Sequence, residues 1–138
     1  MKRSLLMVAL AFTTATSAAA QTTVDVGTGD WSRIPEVQPR GNLRMADAQM
    51  DLIEQIAAQG RCRVPGLSRE AVDINVPFLI RYGANGSVER IVLQDLQCPE
   101  LEVALGAAVL HLARADEYRP RGNTVPGWYR SEIAFANQ

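Results

Sequence analysis

The sequence predicts an α+β fold: a small antiparallel three-stranded sheet, made of a hairpin plus a C-terminal strand and packed by a helix, with an extra N-terminal helix tethered by a disulfide. Three observations predict it. Apolar residues alternate on either side of an Asn85-Gly86 hairpin signal and again near the C-terminus. Apolar residues recur at helical spacing over 43–59 and 99–114. Cys62 and Cys98 are the chain's two cysteines.

The N-terminus reads as a secretory signal covering 1–20. Lys2 and Arg3 form a basic start, Leu5 to Phe12 a short apolar run, and Ala18-Ala19-Ala20 a cleavage site before Gln21. An uncleaved anchor is the competing reading, but Thr13, Thr14, Thr16 and Ser17 interrupt the run well short of the roughly 20 apolar residues a membrane span needs. Export implies a periplasmic or secreted domain with no membrane insertion once the signal is gone. The remaining 118 residues are one-domain length. They carry 12 basic and 15 acidic side chains, a balance that disfavours nucleic acid or an anionic membrane as the main partner, since a polyanion needs clustered positive charge. Every basic residue after Lys2, apart from the single His, is Arg, which fits codon bias or selection for bidentate pairing.

Residues 21–41 hold Gly27, Gly29, Pro35, Pro39 and Gly41 and read as an irregular arm, pinned by Trp31 and Ile34 to a domain over 42–138. The first helix has Met45, Ala48, Leu52 and Ile56 on its stripe with Ile53 beside it, Asp47, Asp51 and Glu54 opposite, Asn42 as N-cap and Gly60 as its stop. Ile74, Val76, Phe78, Ile80 and Tyr82 then alternate with polar or outward positions, and Pro77 belongs near that strand's beginning or on an edge. On the return, Val88 and Ile91 are out of phase, which means a bulge or burial on both faces. Pro99 and Glu100 open the second helix, which runs to Arg114. Val103 and Leu110 lie opposite its main stripe of Leu101, Ala104, Leu105, Ala108 and Leu112. The first helix could cover them, or a homodimer contact could. Trp128 to Phe135 is the closing strand, with Tyr129, Ser131, Ile133 and Phe135 on one side.

In an oxidising compartment Cys62 and Cys98 most simply form one disulfide; a reactive thiol would want a Cys-x-x-Cys spacing or a neighbouring base, and neither is present. The sequence offers no catalytic residues, no metal site and no cofactor motif. His111, its one histidine, reads as a partly buried ring rather than a general base. Glu100 and Glu102 point in different directions on the helix. Arg114, Arg119 and Arg121, with Arg130, concentrate positive charge, either as an anion contact or as a solvated rim.

Over residues 72–136 the chain resembles the C-terminal domain of the TonB family of periplasmic energy transducers. The resemblance is carried by Phe78-Leu79-Ile80-Arg81-Tyr82, Ala84-Asn85-Gly86-Ser87-Val88, Ile91-Val92-Leu93, Tyr118-Arg119-Pro120, Gly122, Val125-Pro126 and Ile133-Ala134-Phe135. It implies a docking module, whose partner, a segment of an envelope or outer-membrane protein, lies extended beside the sheet. Carried onto this chain, the open edge is the closing strand and its readers are Trp128, Arg130 and Glu132. The same charges would equally blunt self-association of an edge. The chain shows neither the inner-membrane anchor nor the Pro-rich spacer of such transducers, so energy coupling is not expected to carry over, and a free-standing secreted relative is.

Overall fold

Alternation of β-branched and aromatic residues produces strands, and 3.6-residue periodicity produces helices, in the order β1 (Thr23–Gly27), α1 (Asp47–Ala58), β2 (Asp73–Tyr82), β3 (Val88–Gln94), α2 (Pro99–Arg114) and β4 (Gly127–Ala136). The structure is a computed structural model and describes residues 21–41, 45, 47–122 and 126–137. The expected signal over 1–20, the Asn42 cap and Val125 lie outside the described residues.

The architecture is α+β, with two helices and a disulfide joining Cys62 to Cys98 across a Cα separation of 5.6 Å. The sheet differs from the expected antiparallel three strands. It has four, in the order β1-β3-β2-β4, and is mixed, because β1 runs parallel to β3. Residues 21–41 are therefore not wholly irregular. Their first part is an edge strand, and the chain then passes Trp31 and Ile34, both half-buried, to pair Glu36 with Arg130 at the other edge. The arm thus spans the sheet and belongs to the domain.

The hairpin turns where expected. Gly86 donates its N–H to the Gly83 carbonyl, and its φ of 76° is the left-handed geometry that a glycine adopts without penalty. The phase change at Val88 is a bulge: Arg81 faces Arg90 while Tyr82 faces Val88, leaving Glu89 as the extra residue. Pro77 sits at mid-strand in β2, which is central by strand order, contrary to the expectation of a beginning or an edge. The β2–β3 register begins one residue later, at Phe78 and Leu93. On the other side Pro77 faces Glu132 in a pair whose main-chain groups point away from each other, so the missing N–H removes no ladder bond.

Ile74, Val76, Phe78, Ile80 and Tyr82 of β2 join Ile91, Leu93, Ile133 and Phe135 on one face of the sheet. Leu101, Leu105, Ala108, Val109 and Leu112 of α2 complete the core, and α1 packs beside α2. The α1 stripe is rotated from its predicted centre. Ile53, Ile56 and Ala57 are buried, whereas Leu52 is 46% exposed. Gly60, at φ 66°, ends the helix as expected.

Candidate functional site

The closing strand was the expected docking edge, and the structure shows that edge closed in part. Main-chain groups on a strand alternate between its two sides. On β4 those of Trp128, Arg130, Glu132 and Ala134 point away from β2. Arg130 has already spent its pair: its N–H donates to the Pro35 carbonyl at 2.8 Å, and its carbonyl accepts the Val37 N–H at 2.9 Å. Its guanidinium donates to the Ile34 carbonyl and pairs with Glu36 at 2.9 Å. Arg130 is an anchor for the arm, not a reader of a guest. Trp128 lies under the Arg81 guanidinium, 5.9 Å from the ring centre, and the Glu132 carboxylate accepts the Asn75 amide at 2.6 Å. Beyond Arg130 the core-side residues Ile133 and Phe135 are buried.

The arginines are only partly brought together. Arg114 and Arg119 line one hollow of about 610 Å³ near the hairpin turn, while Arg121 is exposed outside it and Arg130 belongs to the arm. Arg119 donates to the Gly86 carbonyl and lies 3.5 Å from Asp116, clamping the turn to the end of α2. Its Nε is buried without a hydrogen-bond partner among the described residues. Arg40 donates to the Arg119 and Pro120 carbonyls and fastens the arm to the same corner.

His111 is exposed, not partly buried as its place on the helix suggested. Glu100 is exposed and pairs with Arg61 at 3.0 Å, whereas Glu102 is buried and accepts the Leu96 N–H at 2.8 Å, so the two have separate structural tasks. Among the described residues no group of three or more His, Cys, Asp or Glu side chains is placed to hold a metal ion. None of their helices is long and apolar enough to cross a membrane.

The open edge lies on the opposite side of the sheet. Gly27 accepts the Asp95 N–H, so the main-chain groups of Thr23, Asp25 and Gly27 face β3 and those of Val24 and Val26 point outward. Among the described residues no main chain pairs with that outer side. The side chains of Val24 and Val26 lie on the helix side of the sheet, 38% and 45% exposed. With Val103, Ala107 and Leu110 of α2 they line an apolar hollow of about 420 Å³. Val103 is 74% exposed, so the first helix does not cap it; β1, not α1, flanks Leu110. Gly106 permits this approach, because a Cβ there would lie 2.7 Å from Val24 Cγ1. On the other face Arg90 donates to Asp25 at 2.7 Å and fixes the strand.

The signal that could have revealed β1 was present in Thr23-Val24-Asp25-Val26, a short β-branched alternation hidden by the glycines that follow.

Comparison with known proteins finds no matching family model, no matching curated protein and no matching solved structure.

Proposed function

We propose that this protein is a non-enzymatic binding module of the cell envelope that holds an extended segment of another envelope protein against a sheet edge, and that the edge is β1. One observation carries the reading: the outward main-chain groups of Val24 and Val26 stand beside an apolar hollow walled by Val103 and Leu110. A guest strand would take main-chain hydrogen bonds from β1 and drop every second side chain into the hollow, which is the division of labour in β-augmentation. The guest is therefore a segment with small or branched apolar residues at alternate positions. The resemblance of 72–136 to TonB C-terminal domains supports the docking role. Export through a signal over 1–20 would place that role in the periplasm or outside the cell, where the disulfide would persist.

Selection of short random peptides on the immobilised protein tests the proposal. Bound sequences should alternate in polarity. Val26→Pro removes an outward N–H while leaving the β3 ladder intact, and it should weaken capture by about tenfold or more. Val26→Ile, which keeps the N–H, should not. Equal capture by both variants would sink the edge reading.

A further inference from the structure

On α2, Glu100, Val103, Ala107, Leu110 and Arg114 follow one another at spacings of three, four, three and four. That is the repeat of a helix-pairing seam. All five lie on the side turned away from the core: Leu110 is half-buried and the other four are exposed. The stripe reads acid, apolar, small, apolar, base. Reversed end for end it becomes base, apolar, small, apolar, acid, so it is complementary to its own reverse. We propose that α2 packs antiparallel against α2 of a second copy of this chain, about a two-fold axis at Ala107.

The arrangement follows from the charges and sizes. Antiparallel pairing centred on Ala107 sets Glu100 against Arg114 of the second copy at both ends, and Val103 against its Leu110. Parallel pairing would set acid on acid and base on base. Ala107 at the axis lets the helices approach to the close end of the usual 8–10 Å range. Arg114 has no ion-pair partner among the described residues, which leaves it free to meet the incoming carboxylate. Glu100 already holds Arg61 and would be shared between two guanidiniums. Val103, at 74% exposed, would lose its contact with water. The interface is isologous, as a two-fold contact requires.

Sedimentation equilibrium of the purified protein over a rising concentration series decides the matter, with far-UV circular dichroism confirming that each variant folds. The wild type should form a dimer. Glu100→Arg and Arg114→Glu should each weaken self-association by on the order of tenfold or more, because like charges then face each other. An equimolar mixture of the two variants should recover the dimer, since in the mixed pair every cation meets an anion. Val103→Asp, at a site too exposed to unsettle the core, should abolish it. A wild type that stays monomeric throughout, a mixture no tighter than its components, or a Val103→Asp dimer would each overturn the proposal. The dimer and the guest would compete for Val103, Ala107 and Leu110, so a chain paired through α2 would hold no strand in that hollow. Sedimentation reads the pairing and capture by dilute, monomeric protein reads the guest, so the failure of one is told apart from the failure of the other.

Discussion

Tyr82 and Tyr118 are almost completely buried, and neither hydroxyl has a hydrogen-bond partner among the described residues. Burial pushes the Tyr82 phenol up to about 12; Asp116 adds to the shift, and Arg119 and Arg40 oppose it. Burial, with a smaller contribution from Glu117, pushes Tyr118 up further still. The folded state thus holds both protons after the unfolded chain, with phenols near 10, has released them. Stability is fully present below pH 10 and falls as pH rises from there toward the folded values, by about 1.4 kcal/mol per pH unit for each tyrosine. Alkaline denaturation followed by circular dichroism should show that slope, halved in Tyr82→Phe. At neutral pH Tyr118→Phe should raise stability by about 1 kcal/mol, because it deletes an unpaired buried hydroxyl and keeps the edge-to-face contact with Phe78. A clear loss of stability would mean that the hydroxyl is satisfied after all.

At the scale of elements, β2, β3, α2 and β4 were legible because each carries a sustained period and a marked boundary: Asn85-Gly86 at the turn, Pro99 at the helix start. What escaped depends on pairing that sequence does not encode locally. β1 has five residues, too few for its alternation to stand out, and its partner lies more than sixty positions away in β3. Pro77 was expected near the strand's beginning or on an edge and is an edge residue only locally, since the β2–β3 pairing ends at Phe78 and Leu93. The α1 stripe was misphased because both Leu52 and Ile53 fit a helical period, and packing against α2 chose Ile53. Nothing local in the sequence announced that Pro35 and Val37 would occupy the main chain of Arg130 in β4. The contact between β1 and α2 rests on Gly106. Gly106→Ala gains about 1 kcal/mol of helix propensity, yet its methyl must displace Val24 and press on Leu93 Cδ1, 3.3 Å away. Urea unfolding should report a net loss of about 1 to 2 kcal/mol. A net gain would show that β1 is held less closely than the coordinates place it.

At the scale of the whole molecule, the arm and the disulfide serve one purpose: they hold the two ends of the sheet and the two helices in a single frame. The arm starts as β1 at one edge, seals part of β4 at the other and is fastened by Arg40 near the hairpin turn. The disulfide, spanning 36 positions, ties the loop after α1 to the residue before α2. Replacing both cysteines by alanine should cost about 4 kcal/mol, seen as a lower urea midpoint, if chain entropy dominates its contribution. The frame leaves one edge closed in part and the other open beside exposed apolar residues, and the proposed binding role rests on that asymmetry. Amide hydrogen exchange with and without a selected peptide tests it most directly. The account predicts that the Val24 and Val26 amides exchange rapidly in the free protein and become protected when the peptide binds, while those of Glu132 and Ala134 do not change. Protection confined to Glu132 and Ala134, or bound peptide with Val24 and Val26 still exchanging freely, would contradict it.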